Sequence, residues 1–277
     1  MRSDYPVVIV TGASRGIGKR TAKIFASKGY TIVIASRSDK EIRQAAQELS
    51  ATAAMPVLPV CCDVSSIPEV SEMVAETITQ FGRIDALINN AGVTGPRIYL
   101  EQVEPNEWNS VLSVNVCGAV NCARAVLPLM KKQNRGTIVN VIGGKVGWKG
   151  MPEKVTAYVT SKFALWGFTE ALSKELKNTK IRVNAVSPGP VDTQLANNFS
   201  MENNSTVIEP SRLASEPDAA AKTIVFLATD KSFPLNGKLI SARWDNLDDI
   251  VKNGRTHNRT CSFTIRRIDG RNYREVE

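Results

Sequence analysis

The sequence predicts an α/β protein: a doubly wound parallel sheet of about seven strands, flanked by helices and forming one main domain. Three observations carry this. Short β-branched runs alternate with amphipathic segments along most of the 277 residues. The strand runs are continuously apolar, without polar alternation, as expected of strands buried on both faces. A glycine-rich turn, Thr11-Gly12-Ala13-Ser14-Arg15-Gly16-Ile17-Gly18, joins the first strand run to the first helix run.

The elements follow in order. Residues 7–10 form a β-branched strand and 17–28 the first helix; 31–35 form the second strand. Ser38-Asp39-Lys40-Glu41 has the capping-box pattern that opens the next helix. Strand 57–61 leads into a helix through about residue 81, and 86–89 is the fourth strand. A long helix is expected over 105–132, then strand 137–142, a helix from Tyr158 to about 176, and strand 182–186. A helix at 217–228 and a strand at 238–241 complete the domain, which spans residues 1–242. Residues 243–277 read as an irregular basic extension, with a hairpin about Asp269-Gly270 between 262–268 and 272–276.

Composition removes several classes. With 43% hydrophobic residues, a substantial core is available. No segment reads as the roughly 20 consecutive apolar residues of a membrane span, and the first residues lack a secretory apolar region. The expectation is a cytoplasmic protein with no membrane partner. The five cysteines (Cys61, Cys62, Cys117, Cys122, Cys261) have no paired spacing, which speaks for reduced thiols. A single histidine, His257, leaves no basis for a His-based zinc site or a Ser-His-Asp triad, and no metal is expected. The net charge of +8 is concentrated late, with seven Lys/Arg and one acid between Lys252 and Arg274. A solvated tail is the simpler reading. Only Phe263 and Tyr273 could stack on bases there, which argues against a nucleic-acid partner.

The glycine turn is a phosphate site by its chemistry. Glycines let the backbone approach a pyrophosphate, and a helix N-terminus offers free N–H donors and a partial positive charge. The second strand ends in Ala35-Ser36-Arg37, with no Asp or Glu to accept from a ribose 2′-hydroxyl. Arg37 and Arg15 suit a 2′-phosphate, so the expected cofactor is NADP(H). Further along, Tyr158 and Lys162 stand four residues apart on a helix and so share a face. A phenol beside an ammonium is a candidate general acid/base, because the cation stabilises phenolate.

These motifs, in this order, resemble the short-chain dehydrogenase/reductase superfamily over about residues 5–242, which implies a Rossmann-type fold. The resemblance implies that Gly12, Ser14, Arg15, Gly16, Ile17 and Gly18 bind the cofactor, with Arg37. It adds Asp63 and Val64 at the adenine, Asn89, Ala91 and Gly92 after strand four, and Pro188, Gly189, Val191 and Thr193 at the carboxamide. Tyr158 would move the hydroxyl proton, Lys162 would lower the Tyr158 pKa and hold the ribose, and Asn115 would link Lys162 to solvent through water. The implied activity is hydride exchange between the nicotinamide and a small carbonyl or alcohol substrate. The implied assembly is a homodimer or homotetramer.

One departure stands out. Where that family usually has a serine that holds the substrate oxygen, this chain has Gly143, and no serine lies between Asn140 and Tyr158. Lys145, Thr156, a backbone N–H or a substrate hydroxyl could serve instead. The alternatives are atypical or non-redox chemistry on the same scaffold, or an NADPH-sensing binding protein. The Asn/Ser-rich loop 194–215 falls where that family has its substrate lid.

Overall fold

A computed structural model describes residues 3–143, 152–189, 217–229, 234–259 and 264. Seven strands form one parallel sheet in the order β3-β2-β1-β4-β5-β6-β7. They are β1 Val7–Thr11, β2 Thr31–Ser36, β3 Val57–Cys61, β4 Ala86–Asn89, β5 Gly136–Val141, β6 Ile181–Ser187 and β7 Leu239–Ser241. The helices between them are α1 Gly16–Ser27, α2 Asp39–Ser50, α3 Ile67–Phe81, α4 Pro105–Leu112, α5 Gly118–Gln133, α6 Thr156–Glu175 and α7 Pro217–Thr229.

Alternate residues of each strand supply two cores. Val8, Val10, Ile32 and Ile34 pack against Phe25, Ile42 and Ile224 of α1, α2 and α7. Val7, Ile9, Val33 and Leu87 face the other way, onto Met73, Val126, Met130 and Leu172 of α3, α5 and α6. Burial of both faces explains the uninterrupted apolar runs. The strand order reverses between β1 and β4, and a crevice opens there at the carboxyl ends of the strands.

Two elements differ from the sequence expectation. The long helix is broken by a π-helical turn over Ser113–Cys117, between α4 and α5. By length and composition the run Pro105–Gln133 is apolar enough to cross a membrane, which the sequence reading passed over. Its Val114, Cys122, Ala123, Val126 and Met130 are instead buried in the core.

The second difference lies in the extension. Leu247–Arg259 is a helix, α8, rather than an irregular segment. Asn246 caps it, its Oδ1 accepting from the amides of Asp248 (2.9 Å) and Asp249 (3.4 Å). Ile250 is buried in the first core, and Leu247 packs against it. The hairpin expected around Asp269-Gly270 and the loop 194–215 lie outside the described residues.

Candidate active site

A cleft of about 520 Å³ collects the segments that follow the first four strands: Gly12 to Ile17, Ser36 to Ser38, Cys62 to Val64 and Asn90 to Val93. At its floor Gly12 turns with φ +62, and a Cβ there would lie 2.8 Å from Ala91 Cα. Only glycine lets the turn lie this close to the β4 loop. Asn90 ties the two together, its Nδ2 donating to the carbonyls of Thr11 (2.9 Å) and Gly12 (3.0 Å). Thr11 Oγ1 accepts from the amides of Asn90 and Ala91, both at 3.1 Å. No side chain caps α1, whose first residues Gly16 and Ile17 line the cleft. An uncapped helix start beside a glycine cradle fits a dinucleotide pyrophosphate.

The far rim is made by Arg15, Ser36, Arg37, Ser38, Glu41 and Asp63. Ser38 caps α2 as expected, its Oγ accepting from the Glu41 amide at 3.3 Å. The Glu41 carboxylate does not complete the capping box; it accepts from Ser14 Oγ (3.2 Å) and from Arg15 (3.5 Å). Asp63 turns one carboxylate oxygen to Ser65, accepting from its amide (2.9 Å) and its hydroxyl (2.7 Å).

At the other end stand Tyr158 and Lys162, both on the first turns of α6. Lys162 is buried, and its Nζ donates to the carbonyl of Val141 at the end of β5 (3.2 Å). A Cβ at Gly92, which lines the cleft, would lie 3.3 Å from that Nζ. Lys162 thus stands directly behind the cleft wall at Gly92. The ammonium sits 5.6 Å from the centre of the Tyr158 ring.

Burial sets the protonation of both groups. It pushes the Tyr158 phenol up to about 12 and the Lys162 ammonium down to about 8. Desolvation by itself favours the neutral phenol at Tyr158, the form that can donate a proton. Gly143 is where the serine was missed, and the space is filled: a Cβ at 143 would meet the Tyr158 Oη at 2.5 Å.

Asn115 lies in the π turn and is 1% exposed. Its Nδ2 donates to Val93 O (2.8 Å) and Ser161 Oγ (2.9 Å), and its Oδ1 accepts from Val93 N (2.8 Å). Ser161 Oγ in turn donates to the Tyr158 carbonyl at 2.6 Å. Asn115 thus clamps the loop after β4 to the helix that carries Tyr158 and Lys162.

Of the residues expected at the cofactor, the cleft gathers Gly12, Ser14, Arg15, Gly16, Ile17, Arg37, Asp63, Val64, Ala91 and Gly92. Gly18 is not among its walls; a Cβ there would be 2.6 Å from Asn90 Nδ2, so it serves the packing of α1 on the turn. Asn89 is likewise not among its walls. It is buried between strands, donating to Asn140 Oδ1 (2.9 Å) and Ala119 O (3.3 Å), and its neighbour Asn90 faces the cleft. Pro188 and Gly189 follow β6, the latter at φ +76. Val191, Thr193 and Lys145 lie outside the described residues. The sequence reading missed Asn90 and Glu41; the first stands in the same motif as Asn89, and the second was assigned to the helix cap alone.

The comparisons agree with this geometry. A short chain dehydrogenase family profile matches residues 6–204, and the chain belongs to that family. It is 34% identical over 242 residues to the 3-oxoacyl-(acyl-carrier-protein) reductase FabG of Thermotoga maritima, covering 87% of this chain and 97% of the relative. It superposes on an actinorhodin polyketide ketoreductase solved with NADPH (TM-score 0.78, 27% identity, 87% of this chain and 97% of that one). It also superposes on an NAD+-bound xylitol dehydrogenase (TM-score 0.77, 28% identity, 85% and 96%). The protein is a nicotinamide-dependent oxidoreductase that acts on a carbonyl or alcohol group.

Proposed function

We propose that the protein is an NADP(H)-dependent reductase of a small carbonyl compound, with Tyr158 as the proton donor. The observation that carries this is one cleft that runs from Arg15 and Arg37 to Gly92, behind which the buried Lys162 Nζ lies 3.3 Å from the position of a Cβ. β2 ends in Ser36 with Arg37 next, so the residue that follows the strand offers a 2′-phosphate a guanidinium. A bound nicotinamide would supply or accept the hydride. Tyr158, neutral at physiological pH, gives its proton to the developing alkoxide oxygen. Lys162, between the phenol and the cleft wall at Gly92, would hold the nicotinamide ribose and favour phenolate once the proton has left. Asn115 positions α6 and connects Lys162 toward solvent through water.

The curated relatives named for 3-oxoacyl thioester reduction align over nearly their whole length, which makes a 3-oxoacyl thioester the first substrate to test. Residues 1–242 carry cofactor and chemistry, and 243–277 are accessory. The free thiols of Cys61, Cys62, Cys117 and Cys122 suit a reducing compartment, supporting a cytoplasmic protein. Leu112, Val116, Val120, Leu127 and Leu129 of the Pro105–Gln133 run are only partly buried, which supports packing against a second copy in a homodimer or homotetramer.

The test is a pair of variants in the full chain. Tyr158→Phe should lower kcat by about 10²–10⁴ while the NADPH Kd holds. Arg37→Ala should weaken NADPH binding by about tenfold or more and leave NADH nearly untouched. Retained turnover in the first variant overturns the proton-donor role, and equal losses for both cofactors in the second overturn the NADP(H) assignment.

A further inference from the structure

Glu41 works against a phosphorylated cofactor from the rim of the cleft. Its carboxylate lies on the rim between Ser14 and Arg15 and takes a hydrogen bond from each. The Arg15 guanidinium that could grip a 2′-phosphate therefore already has an anionic partner. Two other cations of this surface have acidic partners of their own: Arg43 is held by both carboxylate oxygens of Asp39, each at 2.9 Å, and Lys19 pairs with Glu48 at 2.6 Å. The Ser38 cap fixes the Glu41 backbone at the first turn of α2, so the carboxylate cannot leave the rim by a shift of the chain.

We propose that Glu41 is a specificity-determining residue for the cofactor, lowering the affinity for a 2′-phosphorylated adenine nucleotide relative to the unphosphorylated one. The inference builds on the NADP(H) reading above. A 2′-phosphate carries close to two negative charges at neutral pH. It must draw Arg15 away from Glu41 and then sit beside the released carboxylate. A 2′-hydroxyl has no such cost, and can donate to Glu41. The two arginines and the one glutamate thus set a graded preference, and the carboxylate leaves room for both dinucleotides.

The discriminating measurement is calorimetric binding of NADP+ and NAD+, with adenosine 2′,5′-bisphosphate and AMP as adenine-end probes, to wild type, Glu41→Gln and Glu41→Lys. The expected result is a rise in the NADP+/NAD+ affinity ratio of about tenfold for the glutamine and more for the lysine, reproduced by the two adenine probes. A ratio that stays within about twofold in both variants overturns the proposal, as does an equal change for both nucleotides, the mark of a purely structural role for the α2 cap. The outcome is separable from failure of the NADP(H) reading. That failure would show as a wild-type preference for NAD+ that Arg37→Ala does not alter, whereas the Glu41 series must move the ratio upward from whatever value the wild type has.

Discussion

The Tyr158 hydroxyl lies 2.5 Å from the position a Cβ of residue 143 would take, with ring carbons Cε1 and Cζ at 2.9 Å from the same point. Gly143 therefore does more than lack a donor. Its missing side chain is the space in which the phenol rests, so the acid/base group and the absent serine compete for one volume.

Restoring the serine should consequently harm the enzyme. Gly143→Ser and Gly143→Ala both force the Tyr158 ring to move, since contacts under 3 Å are not tolerated in a packed interior. We expect kcat to fall about tenfold or more in both variants, with the cofactor Kd within about twofold of wild type. Steady-state kinetics with calorimetric cofactor binding checks this. A serine variant faster than wild type would show that the phenol has room to share.

A second prediction concerns pH. The folded Lys162 titrates near 8 against 10.5 for the free side chain. Between those values the unfolded chain binds a proton that the folded chain lacks, so this group makes stability rise with pH from about 8 to 10.5. The buried thiols of Cys62 and Cys122, pushed up to about 12 from 9, act in the opposite sense above pH 9. The informative quantity is then the wild type minus Lys162→Met difference in unfolding free energy, measured in urea without cofactor. It should shift in favour of wild type by on the order of 1–3 kcal/mol between pH 7.5 and 9.5. A flat difference would place the ammonium in contact with water.

Asn115→Ala should separate positioning from chemistry. It removes three hydrogen bonds from a buried site and leaves both backbone groups of Val93 without their Asn115 partner, while Ser161 Oγ keeps only its bond to the Tyr158 carbonyl. The expected loss is about 1–3 kcal/mol of stability, read by denaturant unfolding. Turnover should fall with little change in cofactor Kd, because Tyr158 and Lys162 ride on the helix that loses its clamp. A variant as stable as wild type would mean that the clamp is dispensable.

The sheet was legible because buried parallel strands have a local signature. β3 and β4 fall at 57–61 and 86–89 as expected, and the other strands shift by a residue or two. The phosphate turn and the Tyr158–Lys162 pair were legible because each is a short motif whose chemistry fixes its spacing. What escaped depends on contacts distant in sequence. Asn89 and Asn90 are adjacent and chemically identical, and only Asn140 and Thr11, some 50 and 80 residues away, decide which is buried and which faces the cleft. The Glu41 carboxylate had a local partner available at the cap and took a remote one instead. The protonation of Tyr158 and Lys162 depends on how deeply they are buried, which no spacing reveals. α8 was hidden by its charge, although Leu247 and Ile250 are spaced as one apolar face above an asparagine cap.

The π turn at Ser113–Cys117 is a surplus residue wound into an otherwise regular rod. Each residue of an α-helix advances the azimuth by about 100°. Excising one position from the turn would give a smoother, better hydrogen-bonded rod. It would also bring the two halves into phase, so that either Asn115 meets Ser161 or Cys122, Val126 and Met130 meet the sheet, but not both. The irregularity is a phase shifter between a packing stripe and a working face, and a single-codon deletion there would trade one for the other.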